Sequence, residues 1–288
     1  MSTGTVRVRT SAPATRVYQA LTTAGELRVW LAEHAHVDLE RGEYEFWGRY
    51  TPDGERGRQE LLGADGTAVR FSWSLYGTEY TVELGVEQRD GETLIAATQS
   101  PYPDWGVGEE RDEVVQTFWP LVLGNLVDHV EGRPVLGFCD FTTPEQRFEF
   151  EIAAPPAAVV DALTDAGKFA RWFGAGMEIE PHVGGRWTMG SLDEDPNPAK
   201  IIALDEERFA LRFPDGMVTS WELKGSDGRT RLTFVQSGFD AANPPYGSWT
   251  GWLSGFADLR RMLELPDWRP MWHSYDLPGL PQGVLFPQ

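Results

Sequence analysis

The chain opens on a strict alternation: Val6 and Val8 are flanked by Thr5, Arg7 and Arg9, the period-two signature of a half-buried strand. The pattern returns from Arg147 to Ile152, where Phe148, Phe150 and Ile152 alternate with charged residues. Each strand is followed by proline (Pro13; Pro155 and Pro156), tolerated in a first helical turn. Apolar residues at helical spacing come next: Val17, Ala20 and Leu21, then Val159, Ala162 and Leu163. A second short helix is predicted to end at Trp30, and again at Trp172. Beyond it, alternating runs are separated by turn signals such as Pro52-Asp53-Gly54, Ala64-Asp65-Gly66, Arg89-Asp90-Gly91 and Ser226-Asp227-Gly228. Strands joined by turns this short must be antiparallel. Each series closes on a helix. Phe118, Leu121, Val122, Asn125, Leu126 and His129 form one stripe, which Pro120 either kinks or starts. Trp249, Trp252, Leu253, Phe256, Leu259, Met262 and Leu263 form the other.

The two series are copies of one unit. Arg16 to Leu31 and Ala158 to Phe173 agree at seven of sixteen positions, where chance would give roughly one. Downstream, Arg41 to Phe46 matches Gly184 to Met189 after a one-residue shift. Arg70-Phe71-Ser72-Trp73 answers Arg208-Phe209-Ala210-Leu211, Gln99-Ser100 answers Gln236-Ser237, and Trp119 answers Trp252. The expected organisation is a first domain over 1–133, a linker over 134–145, a second domain over 146–265, and a Pro- and Trp-rich tail over 266–288. Trp268, Trp272 and Phe286 predict that this tail lies extended across the protein, because they would otherwise be exposed. A strand, two helices, an antiparallel sheet and a long terminal helix make an α+β unit, with the helix in the concavity of the curved sheet, since each has one apolar face.

The motifs around these elements resemble one superfamily. The ALT-x-AG stretch leading to Trp30-Leu31 and Trp172-Phe173, the Gly-Gly-x-Trp of Gly184 to Trp187, and Leu232 to Phe239 are similar to the START/Bet v 1-like (SRPBCC, polyketide cyclase) superfamily. Within it they resemble the branch named after the activator of the ninety-kilodalton heat-shock chaperone's ATPase. The resemblance covers nearly the whole chain in two copies, and implies two tandem helix-grip domains, each a curved antiparallel sheet wrapped around a long C-terminal helix. The tandem layout is also similar to two-domain proteins of polyketide and enediyne biosynthetic clusters. Relatives often carry His where this chain has Gln236, and the Gly-Gly of the second copy is Arg41-Gly42 in the first, so the copies have diverged. The scaffold hosts binders, cyclases, resistance proteins and co-chaperones, so it implies a fold more sharply than a function.

Such a fold offers a tunnel between sheet and helix, lined by alternate strand residues. Tyr44 and Phe46 share a face, Trp187 and Met189 hold the matching places, and Phe71 and Trp73 pair likewise. With Trp30, Trp119, Trp172, Trp221, Trp249 and Trp252 they are the candidate ligand-binding aromatics, and Gln99 and Gln236 the candidate hydrogen-bonding groups. The leading expectation is therefore a binder of an extended hydrophobic small molecule, a polyketide or polyene. A cofactor-free cyclase or aromatase is the alternative, with Arg49 and Arg70 to hold a carbonyl and Tyr80 to donate a proton. Two further readings are a chaperone-interacting module and a self-sacrificing resistance protein.

Composition narrows the partners. With 25 basic against 44 acidic residues the formal charge is −19, which argues against nucleic acid and anionic lipid. No apolar run reaches membrane-spanning length, and the first ten residues lack a signal-peptide profile, so the expected location is cytoplasmic. The single cysteine, Cys139, allows no internal disulfide. Glu33, His34, His36 and Asp38 make a weak zinc signal, because the second copy has Gly174-Ala175-Gly176 there; neither metal nor cofactor is expected. Nucleophile-elbow, phosphate-loop and dinucleotide motifs are absent. Oligomeric state is left open.

Overall fold

The structure, a computed structural model, describes residues 2–280 apart from Asp90, Gly106 and Val107; Phe286 and the central residue of one expected turn thus lie outside the described residues. The chain divides into two compact units. One comprises Met1–Thr142, Tyr246–Ala257 and Met271–Leu280; the described part of the other is Thr143–Pro245 and Asp258–Pro270.

Unit 1 begins with β1 (Gly4–Thr10), α1 (Ala14–Thr22) and α2 (Ala24–Trp30), followed by a separate hairpin of β2 (His34–Asp38) and β3 (Glu43–Trp47). Then come β4 (Gln59–Ala64), β5 (Ala68–Leu75), β6 (Thr78–Arg89), β7 (Glu92–Ser100) and α3 (Glu110–Val130). Unit 2 repeats the order with β8 (Gln146–Ile152), α4 (Pro156–Thr164), α5 (Ala166–Phe173), β9 (Met177–Ile179), β10 (Arg186–Met189), β11 (Ala199–Leu204), β12 (Arg208–Arg212), β13 (Val218–Ser226) and β14 (Arg229–Ser237). The chain continues through α6 (Tyr246–Glu264) to β15 (Trp272–Asp276). The fold is α+β: two tandem helix-grip domains, each with an antiparallel sheet and a long C-terminal helix. The unit 2 sheet runs β8-β14-β13-β12-β11-β10-β9, and that of unit 1 runs β15-β1-β7-β6-β5-β4. In unit 1 the β2–β3 hairpin stands apart, and the Phe46 N–H donates to the side-chain oxygen of Gln59, the first residue of β4, at 3.2 Å.

The duplication extends to individual hydrogen bonds. The indole N–H of Trp30 donates to the Ala20 carbonyl at 3.0 Å, and that of Trp172 to Ala162 at 2.9 Å. Thr93 and Thr230 each donate to the carbonyl after the opening strand, Ala12 and Ala154, at 2.6 Å. These bonds pin the paired short helices and the first strand to the rest of the unit.

Pro120 neither starts nor ends α3, which runs on both sides of it. A proline here removes the N–H that would bond the carbonyl four residues back. That carbonyl, of Gln116, instead accepts from the Tyr102 hydroxyl at 3.4 Å. Within the tail's described residues, β15 pairs with the outer edge of β1, with Trp272 opposite Val8. Met271 and Trp272 are buried there. Trp268 sits over Arg171 and donates its indole N–H to Asp258 at 2.8 Å.

Where α1, α2 and α3 meet, Arg16 and Glu26 approach to 2.8 Å and the His129 imidazole reaches Glu26 at 2.5 Å. Burial alone would raise the Glu26 carboxyl, but the hydrogen bonds from His129 and Arg16 outweigh it and hold it below the ordinary value of 4.5. A carboxyl depressed in the fold stabilises above its unfolded value, and that contribution is lost as pH falls below 4.5 through the lowered value. Glu26→Gln is expected to cost about 1 kcal/mol at pH 7 and to flatten the acid limb of the stability–pH curve, read by urea unfolding at several pH values. An unchanged acid limb would exclude this carboxyl as a contributor.

Candidate functional site

Alternation along the strands decides what faces the helix in each unit. In unit 1 the inner positions of β5 are Phe71 and Trp73, those of β6 are Tyr80 and Val82, and β3 contributes Tyr44 and Phe46; all are buried. Their rings form a continuous cluster. Tyr44 lies 5.1 Å from Phe71, Phe46 lies 5.3 Å from Trp73, and Trp73 lies 5.9 Å from Trp119 on α3. Trp119 donates its indole N–H to Gln99 Oε1 at 2.7 Å. The Gln99 amide nitrogen is buried beside it with no hydrogen-bond partner. Trp30 is fully buried beneath the α1–α2 pair.

In unit 2, Trp221 stacks on Phe209 at 5.0 Å and lies tilted against Phe234 at 5.4 Å. Trp172 and Trp187 both pack against Phe169, at 5.0 and 6.3 Å. Gln236 donates to Thr219 Oγ1 at 3.2 Å. Trp249 and Trp252, on α6 within Tyr246–Ala257, are buried. Met189 differs from its expected counterpart Phe46: it is 43% exposed, because β10 is four residues long and Met189 is its last.

Cross-strand register corrects one of the repeat matches. Gln99 lies opposite Val82, which lies opposite Phe71; Gln236 lies opposite Thr219, which lies opposite Leu211. Phe71 therefore takes the place of Leu211, two residues from the Phe209 that sequence similarity paired with it. A two-residue slip keeps every side chain on its face, so the alternation does not reveal it.

The polar candidates are dispersed. Arg49, on the loop after β3, pairs with Glu33 at 3.1 Å. Arg70 pairs with Glu83 on the sheet face opposite Phe71 and Trp73. Tyr80 is on the inner face, and burial pushes its phenol up. Burial likewise raises Tyr44, whose hydroxyl donates to the Leu21 carbonyl at 3.0 Å. These groups do not form one acid–base constellation. His36 pairs with Glu43 at 2.7 Å, and His34 lies 5.5 Å from the Trp47 ring. Cys139 is buried, which pushes its thiol up and away from the reactive thiolate.

A concavity of about 910 Å³ lies on the outer face of the unit 2 sheet. Its lining carries both signs, and Arg147 and Arg231 sit 3.7 and 3.8 Å from Glu149, so its charges are largely mutually compensated. Sequence reasoning passed over Gln146 and Thr219, which complete the inner face beside Gln236. The alternation of β8 carries the signal for Gln146, which shares the face of Phe148, Phe150 and Ile152.

An antiparallel sheet, a paired-helix junction and a long helix, all repeated, define a tandem helix-grip protein. The family model described as activator of Hsp90 ATPase homolog 1-like protein matches residues 11–131 and again 153–264, and the chain belongs to this family. Solved structures are similar to parts or most of the chain. CV1439 from Chromobacterium violaceum is 26% identical over 43% of this chain and 99% of its own, with a TM-score of 0.36. EF2215 from Enterococcus faecalis is 26% identical over 43% of this chain and 74% of its own, at 0.37. DynU16, a protein of the dynemicin biosynthetic locus, is 15% identical but covers 92% of this chain and 100% of its own, at 0.37. No curated protein matches the chain. Among the described residues, no helix is long and apolar enough to cross a membrane.

Proposed function

We propose that the protein binds an extended hydrophobic small molecule, a polyketide or polyene intermediate, between sheet and helix. The observation that supports this reading is the inner face itself. In each unit an aromatic lining surrounds a buried glutamine amide at the same strand position, Gln99 or Gln236. Aromatic surface with a few placed polar groups is the composition of a site that takes an apolar ligand and orients one end of it. The aromatics already pack against one another, so entry of a ligand requires them to re-pack. The contacting residues in this reading are the inner-face aromatics of unit 1 around Trp73 and Trp119, and those of unit 2 around Trp221. A setting in enediyne-type biosynthesis, as in the dynemicin cluster, rests on the tandem layout read from the sequence.

The test is a tryptophan-fluorescence titration of the whole protein with a conjugated linear polyene. Saturable quenching is expected, at one equivalent for a single binding event or two for independent sites. Absence of saturable quenching overturns the reading.

A further inference from the structure

The two inner faces differ at one end, and the difference bears on what the ligand carries. In unit 1 the row across the sheet reads Gly4, Gln99, Val82 and Phe71. In unit 2 the corresponding row reads Gln146, Gln236, Thr219 and Leu211. Unit 1 closes its end with an aromatic ring: Tyr102 occupies the space a side chain on Gly4 would need, and is itself 4% exposed. Unit 2 differs there. The place of Gly4 is taken by Gln146, and Phe239, the counterpart of Tyr102 counted from the paired glutamines, is half-buried. Phe148, next along the inner face, is also half-buried, whereas its unit 1 equivalent Val6 is 1% exposed.

Gln146 is 3% exposed, yet both its amide nitrogen and its amide oxygen lack a hydrogen-bond partner. A buried carboxamide with neither end satisfied costs several times the net worth of an ordinary hydrogen bond, so such a group is rarely left without a use. Its neighbours on the inner sheet face are neutral. The flanking inner-face residues are Gln236, Thr219, Phe148 and Phe234, and the charged members of β8, including Arg147, lie on the other face. A carboxylate or phosphate placed here would lose its hydration with no cation among these neighbours to compensate.

We infer that the Gln146 end of unit 2 is a head-group subsite for a neutral polar group with a donor and an acceptor on one carbonyl carbon, a primary amide or a lactam. Such a group meets the carboxamide in a two-point hydrogen bond, donor to Oε1 and acceptor to Nε2. This deepens the proposed function and rests on it: the apolar body of the ligand lies on Phe148, Phe234 and Trp221, and the subsite fixes its polar end.

The experiment compares three forms of one probe, the conjugated tetraene parinaric acid: its primary amide, its methyl ester and the free acid at pH 8. Binding to the full-length protein is read by tryptophan quenching. The amide is expected to bind about tenfold more tightly than the ester, whose carbonyl still accepts from Nε2 but which has no N–H to offer Oε1 and leaves that buried oxygen unsatisfied. Gln146→Leu is expected to bring the amide to within about twofold of the ester. Gln146→Met repeats the comparison should the leucine variant not fold, and the wild-type ratio stands without either. Equal binding of amide and ester by the wild type, a preference that survives in the variants, or tightest binding by the ionised acid overturns the subsite and leaves the proposed function standing. Failure of all three probes to bind overturns both.

Discussion

Trp73→Ala is expected to lower the stability of unit 1 by about 3–5 kcal/mol, the usual cost of emptying a large aromatic site that cannot collapse. Trp73 is 2% exposed and touches Phe46, Phe118 and Trp119 at ring distances of 5.3, 5.5 and 5.9 Å. Its removal therefore strips partners from β3 and α3 together, and neither can close the gap without breaking other ring contacts. Urea unfolding followed by circular dichroism reads the loss. Because two units unfold, only the transition of unit 1 should move. A variant as stable as the wild type would mean that the inner-face rings leave space between them, a conventional open cavity in place of a packed core.

The second large effect is expected at the chain's end. Trp272→Ala should cost a comparable 3–5 kcal/mol and add concentration-dependent association. Trp272 is 3% exposed in β15, which covers the outer edge of β1; the Arg9 N–H adds a 2.7 Å bond to the Met271 carbonyl. Loosening β15 bares a strand edge whose alternate residues, Val6 and Val8, are fully apolar. Unit 2 has no strand on the corresponding edge of β8 among its described residues, and there Arg147, Glu149 and Glu151 provide charge that discourages pairing. Sedimentation at two concentrations tests the association, and an unchanged association state with an unchanged urea midpoint would remove β15 from any structural role.

Much of the fold is legible without coordinates because alternation and helical spacing are local. The faces of Phe71, Trp73, Trp187 and Trp221 follow from period two alone, and the equivalence of Trp30 with Trp172 from the repeat. The site was legible only in part. Arg70 looks like a pocket cation beside Phe71 in the sequence, but adjacent strand residues face opposite ways, and it pairs with Glu83 outside. Gln146 looks like the polar first residue of a strand, and only the pairing of β8 with β14 sets it beside Gln236 inside the unit.

By itself, then, the sequence determined the duplication, the order of elements and which face each residue takes, since these depend on neighbours within a few positions. Tertiary structure alone decided the two-residue slip of Phe71 against Leu211, the β15 strand on β1, the Tyr102 ring over Gly4 and the unpartnered Gln146. Each of these is a meeting of segments far apart in the chain, as when Tyr275 pairs with Val6. Such meetings are selected by packing, register and burial acting together, which no local period encodes.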